Sequence, residues 1–166
     1  MERRLFLSAL MLSPLFATAQ EMPSTAPLFA FSATDLEDHP FAFETLRGKP
    51  LIVNFWARWC GPCRKEIPDL VEMDGKYRSK GLAVVGLAVE EAQYREAVRD
   101  FARAYGVDYR VVLGGVGKGV ELMKALGNDK SGLPFTVAID RQGRMAVRKL
   151  GAMSKAEMEA AIKQIL

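Results

Sequence analysis

Apolar residues come in two rhythms along this chain. Leu51-Ile52-Val53-Asn54-Phe55-Trp56 is a nearly unbroken apolar run with one polar residue in it, the pattern of a strand buried on both faces. Residues 82–89 form a second such run, and 109–113, 135–140 and 145–150 predict three further strands, the last two joined by a turn at Asp140-Arg141-Gln142-Gly143. Upstream, 28–34 and 41–43 read as two short strands around a turn at 35–40, with Phe29 and Phe31 alternating with small residues. Residues 62–80 predict a helix with Pro62 near its first turn, Pro68 inside it as a kink and Gly81 at its end. Residues 91–105 predict a second helix, with Tyr94, Val98, Phe101 and Ala102 on one face, and 118–126 a third. A final helix is expected over 154–166, where Ser154 and Glu157 have capping-box spacing. This order of elements is that of one α/β domain with a mixed central sheet flanked by helices.

The N-terminus breaks from that pattern. Arg3 and Arg4 precede an apolar run over 5–17, and Ala17-Thr18-Ala19 follows as a small-residue cleavage site. Those are the three parts of a secretory signal peptide. The run is 13 residues long, against about 20 needed to cross a bilayer. Residues 1–19 are therefore expected to be a cleaved signal, 20–27 a mobile leader and 28–166 the folded domain, periplasmic or secreted; an uncleaved membrane anchor is the alternative. The whole chain carries 23 Lys and Arg against 20 Asp and Glu. That balance gives no reason to expect a nucleic-acid partner.

An exported chain that relies on structural bridges carries several cysteines. This one has two, Cys60 and Cys63, three positions apart. A bridge closing so short a loop restricts the unfolded chain little, so chemistry explains the pair better than stapling. Trp59-Cys60-Gly61-Pro62-Cys63 falls where a buried strand meets the start of a helix. A thiolate is the nucleophile in disulfide exchange, and the free N–H groups and dipole of a helix N-terminus stabilise an anion there. Arg58, Arg64 and Lys65 add positive charge nearby. Half a zinc site is the competing reading, but a chain with one histidine and no further cysteine lacks the rest of the ligand set. No metal and no cofactor are expected.

The stretch from Phe55 through Trp56-Ala57-Arg58-Trp59-Cys60-Gly61-Pro62-Cys63-Arg64-Lys65-Glu66-Ile67 to Pro68 closely resembles the thioredoxin superfamily, and within it the extracytoplasmic branch of TlpA-, ResA- and CcmG-like proteins. Gly132-Leu133-Pro134-Phe135-Thr136-Val137 resembles that family's cis-proline loop and following strand. The resemblance implies a thioredoxin-like fold with an N-terminal β-hairpin and an inserted αβ element over 92–113. It implies Cys60 as attacking thiol, Cys63 as resolving thiol and Pro134 as the cis-proline facing them. Trp59, Gly61, Pro62, Leu133 and Phe135 are then expected to meet the substrate. Asn54 stands where thioredoxin has a buried acid, and the TlpA-like branch carries instead a Glu three residues after the second Cys, here Glu66. Cys63 and Glu66 share a helix face, so Glu66 is a candidate proton acceptor. An ordinary exposed helix residue is the competing reading.

The resemblance further implies a protein-disulfide reductase acting on disulfide-bearing clients, such as an apocytochrome c or a copper-delivery protein, with electrons from a membrane thiol donor of the DsbD or CcdA type. A monomer is expected. A disulfide oxidase or isomerase and a Cu(I)-binding chaperone remain as alternatives. Gly114-Gly115-Val116-Gly117-Lys118-Gly119 lacks the spacing of a phosphate loop and is expected to be a flexible loop. His39 reads as a solvated turn residue, and the charge-rich stretch 90–103 as a solvated face.

Overall fold

The computed structural model describes residues 21–166; the expected signal segment, 1–19, lies outside them. Seven strands form one sheet: β1 Ser32–Asp35, β2 Pro40–Ala42, β3 Leu51–Trp56, β4 Ala83–Ala88, β5 Arg110–Leu113, β6 Phe135–Ile139 and β7 Met145–Leu150. Their order across the sheet is β2-β1-β5-β4-β3-β6-β7. The three inner strands β5, β4 and β3 run parallel, and antiparallel hairpins β1–β2 and β6–β7 close the two sides. Residues 92–113 supply a helix and β5, and β5 lies between β4 and β1. This is the mixed-sheet thioredoxin-like architecture that the sequence implies.

Among the described residues five α-helices cover the sheet: α1 Ala26–Phe29, α2 Gly61–Tyr77, α3 Arg95–Ala104, α4 Val116–Ala125 and α5 Lys155–Ile165. Strand alternation divides the apolar residues into two layers. Ile52, Trp56, Val84, Val111 and Ala138 face one way and pack with Ile67 and Leu70 of α2, Val98 of α3 and Ile162 of α5. Leu51, Val53, Phe55, Leu87 and Val137 face the other way and pack with Leu122 and Met123 of α4 and with Leu28 and Phe29 of α1. Asn54 shares its face with Ile52 and Trp56 and so points toward α2, the fact on which the site depends.

Three elements depart from the sequence reading. The expected strand 28–34 begins as helix α1, because Leu28 and Phe29 bury their side chains against the sheet, and only Ser32 to Asp35 pair as a strand. Thr25 is already buried, and its hydroxyl donates to the Gly143 carbonyl. The expected glycine-rich loop over 114–119 is mostly the first turn of α4. Gly119 packs there close to Val89, and the Val116 N–H is met by the Glu91 carboxylate at 2.9 Å. Glu90, assigned to a solvated helix, is instead buried just beyond the end of β4. Most other boundaries move by a residue or two, but the helix expected from 91 begins at Arg95 after a 3-10 turn that leaves Tyr94 exposed, and the helix expected to 80 ends at Tyr77 with a further 3-10 turn. Pro68 sits inside α2 without ending it, and the Ser154–Glu157 capping box forms at α5.

Candidate active site

Strand β3 ends at Trp56, and the chain turns through Ala57 to Cys60, whose N–H donates to the Ala57 carbonyl at 3.1 Å. Cys60 is the N-cap of α2. Its sulfur accepts the Cys63 N–H at 3.2 Å, so one free amide of the helix start points at the atom that carries negative charge in the thiolate. Pro62 occupies the first turn, where a missing N–H costs nothing. Cys60 and Cys63 form a disulfide with an S–S distance of 2.08 Å. The pair is asymmetric. Cys60 is 6% exposed while Cys63 is fully enclosed, and Trp59 stands out at 71% exposure beside Cys60.

Leu133–Pro134 is a cis peptide bond at the entry to β6. Because β6 pairs antiparallel with β3, with Phe55 opposite Phe135, this loop lies at the same end of the sheet as Cys60. The Asn128 side chain braces the loop by donating to the Gly132 carbonyl at 2.8 Å, and the Gly151 N–H donates to the Pro134 carbonyl at 2.8 Å. Phe135 does not share the exposed face with Trp59. It is buried, with its ring 5.6 Å from that of Phe55, and supports the loop from beneath.

One turn beyond Cys63, Glu66 is 2% exposed. One carboxylate oxygen accepts the Asn54 amide at 2.7 Å, the other the Met153 backbone N–H at 2.9 Å. The same Asn54 nitrogen donates to the Thr136 hydroxyl at 3.0 Å. Burial holds the Glu66 carboxyl above its ordinary range. The two donated hydrogen bonds oppose that rise, and the charge of Asp69 adds to it. The structure thus places Glu66 beneath the cysteines and off the surface. Arg64 and Lys65 remain exposed, whereas Arg58 is engaged by Glu90 through its backbone N–H at 2.7 Å and its guanidinium at 2.7 Å. His39, in the β1–β2 turn, sits at the opposite end of the sheet, as the pairing of β1 with β5 requires.

Met153, Thr136 and Glu90 were not among the expected site residues. Met153 acts through its backbone, which leaves no mark in a sequence. Thr136 and Glu90 do leave one, Thr136 as the polar residue within a buried apolar run and Glu90 as the first acid after another.

A dithiol–disulfide pair capping a helix at the C-terminal end of a parallel strand, with a cis-proline loop alongside, defines a thiol–disulfide oxidoreductase on a thioredoxin-like fold. The chain belongs to the Redoxin family, whose profile it matches over residues 20–166, and it is a TlpA/ResA/CcmG-like member of the thioredoxin superfamily. It is 31% identical over 150 residues to the thiol–disulfide oxidoreductase ResA of Bacillus thuringiensis, covering 90% of this chain and 83% of that one. It is 31% identical over 148 residues to ResA of Geobacillus kaustophilus, covering 89% and 80%. A crystal structure of a thioredoxin-family thiol:disulfide interchange protein from Chlorobium tepidum superposes with a TM-score of 0.71 at 33% identity, covering 90% of this chain and 99% of that one.

Proposed function

We propose that this oxidoreductase works as a reductase on disulfide-bearing proteins outside the cytoplasm, after removal of residues 1–19 as an export signal. The difference in exposure between the two cysteines carries the order of attack, since Cys63 is fully enclosed and only Cys60 retains a surface that a partner can reach. The Cys60 thiolate attacks one sulfur of the client disulfide, forming a mixed disulfide and releasing the client's other sulfur as a thiolate. Cys63 then loses its proton and attacks the Cys60 sulfur. The Cys60–Cys63 disulfide forms and the client's second thiolate leaves. Two electrons have passed to the client, whose thiolates take up two protons. A membrane dithiol donor of the DsbD or CcdA type returns the enzyme to its reduced form.

Glu66 is the proton acceptor for Cys63. It lies one turn along the same buried helix face, and a carboxyl held above its ordinary range is a base matched to that step. Pro134 and Leu133 present the backbone edge that an extended client segment pairs with, and Trp59, Gly61 and Pro62 form the rim. The reducing direction is in line with the Gly61-Pro62 dipeptide that accompanies reducing members of the superfamily, and the resemblance to the TlpA/ResA/CcmG-like branch suggests clients of the cytochrome c maturation or copper-delivery type. Among the described residues no helix is long and apolar enough to cross a membrane.

Reduced Cys63→Ser protein should accumulate mixed disulfides with oxidised client, because Cys60 attacks and nothing resolves the product. Cys60→Ser should lose turnover without trapping. Equal trapping by the two variants overturns the order of attack. A redox equilibrium with glutathione that leaves the pair strongly oxidising reverses the assigned direction.

A further inference from the structure

The Arg58–Glu90 pair is the one buried-carboxylate contact at the cysteine loop that the exchange reaction does not use. Glu90 follows β4 and is 4% exposed. The parallel pairing of β3 with β4 continues one step past the strands, where the Val89 N–H donates to the Trp56 carbonyl at 2.8 Å, and this brings Glu90 alongside Arg58. Its Oε1 accepts the Arg58 backbone N–H at 2.7 Å. Its Oε2 accepts from the guanidinium Nε at 2.9 Å and lies 2.7 Å from a terminal guanidinium nitrogen as an ion pair. The other side of the guanidinium faces the Tyr94 ring, 5.5 Å from its centroid. Arg58 lies inside the turn that the Cys60 N–H closes onto Ala57. The residue two places before the nucleophile is therefore fixed at both its backbone and its side chain by a single carboxylate.

We infer that Glu90 is a positioning residue that, bonded to Arg58 at backbone and side chain, sets the reactivity of Cys60 by neutralising the Arg58 charge two residues before the sulfur. An unneutralised guanidinium two residues from a thiolate stabilises it, makes the reduced form more stable and shifts the pair toward oxidising clients. Glu90 offsets that charge and keeps the pair reducing. The other charged groups around the loop leave this balance to Glu90. Arg64 and Lys65 are exposed on the first turn of α2, where solvent screens them. The Glu91 carboxylate is taken by the Val116 N–H, and Glu66 lies beneath Cys63. The inference rests on Cys60 being the attacking thiol, and it holds whichever client that thiol serves.

The test uses the reduced protein without any client. The rate of iodoacetamide alkylation is followed against pH, with the modified cysteine located by mass spectrometry, and the thiol–disulfide equilibrium with glutathione is measured alongside. Glu90→Gln keeps an acceptor for the Arg58 N–H but removes the charge. It should raise Cys60 alkylation about fivefold at a pH below its titration and move the equilibrium about fivefold toward the dithiol, the scale of one nearby charge partly screened by water. Adding Arg58→Met to Glu90→Gln removes both charges and should bring both quantities back to wild type. An unchanged or slower rate in Glu90→Gln overturns the inference. So does a double variant that keeps the faster rate, or new labelling of Cys63, since either reports a loosened loop in place of a removed charge. Labelling of Cys63 in place of Cys60 in the wild-type protein would instead overturn the order of attack assigned above.

Discussion

Glu66 shows how one residue acquires a function from where its chain neighbours put it. Its carboxylate is sealed between an amide from β3 and a backbone N–H from the loop after β7, and it accepts from both. Burial outweighs those bonds, so the folded protein holds the proton more tightly than the unfolded chain does. The consequence for stability has a fixed sign. The contribution is fully present below the ordinary value of 4.5 and is lost as pH rises through the higher folded value. Gln at this position has one donor too many, because its amide must face either Asn54 or Met153 with N–H against N–H. Glu66→Gln should therefore slow the resolution of a mixed disulfide by about 10²-fold at neutral pH, the size typical of a lost general base. It should also flatten the pH profile of that step. Stopped-flow resolution of a Cys60 mixed disulfide across pH 5–9 measures both. A Glu66→Gln profile that overlays the wild type would assign the proton to solvent.

Among the elements, the sheet explains why two similar substitutions should have opposite effects. Gly86 sits in the middle of β4, where a Cβ would lie 2.9 Å from Trp56 Nε1 and 3.1 Å from a Tyr109 ring carbon. Trp56 cannot retreat, because it stacks on Phe101 at 5.0 Å and Phe101 stacks on Tyr105 at 4.3 Å. Gly86→Ala should cost about 1–3 kcal/mol through overpacking. Gly75 lies on the exposed side of α2 with nothing near its Cβ position, so Gly75→Ala should add about 0.5–1 kcal/mol. Urea unfolding midpoints of the two variants should move in opposite directions from the wild type. The same contrast marks what the sequence could convey. The central strands, α2 with its cysteines and the α5 capping box announce themselves through local pattern, and the family motifs carry the cis-proline. Helix α1 and the start of α4 do not, because glycines and short apolar runs become helical there only when they dock on the sheet. Glu66 was legible as a helix neighbour of Cys63, but its burial depends on Asn54 and Met153, which lie 12 and 87 residues away in the chain.

Across the whole molecule, α5 ties the sheet to α2 by charge as well as by apolar packing. Glu157 accepts from Lys149 of β7 and from Ser154 at its own cap, and Glu159 accepts from Lys76 and Tyr77 of α2 with Lys163 close by. These bonds hold both carboxyls down at about 2. A lowered folded value means stability that is present above the ordinary 4.5 and lost as pH falls toward about 2. Glu66 and Asp74, raised chiefly by burial, work in the opposite sense and gain as acid is added. Their gain is complete by the ordinary carboxylate range, so acid unfolding below it falls to the lowered carboxyls: Asp35, Glu44 and Asp140, and with them Glu157 and Glu159 of α5. Both α5 carboxylates stand at the surface, so salt should weaken the effect. Glu159→Gln keeps an oxygen for Tyr77 and Lys76 but has no proton to take up. Its melting temperature should therefore start below the wild type's at neutral pH and fall less steeply between pH 4.5 and 2, so that the two meet at the acid end. Adding 0.5 M sodium chloride should bring the two curves together. Thermal melts over pH 2–7 at low and high salt provide the measurement. Parallel slopes in the two proteins would place the acid sensitivity in carboxylates other than Glu159.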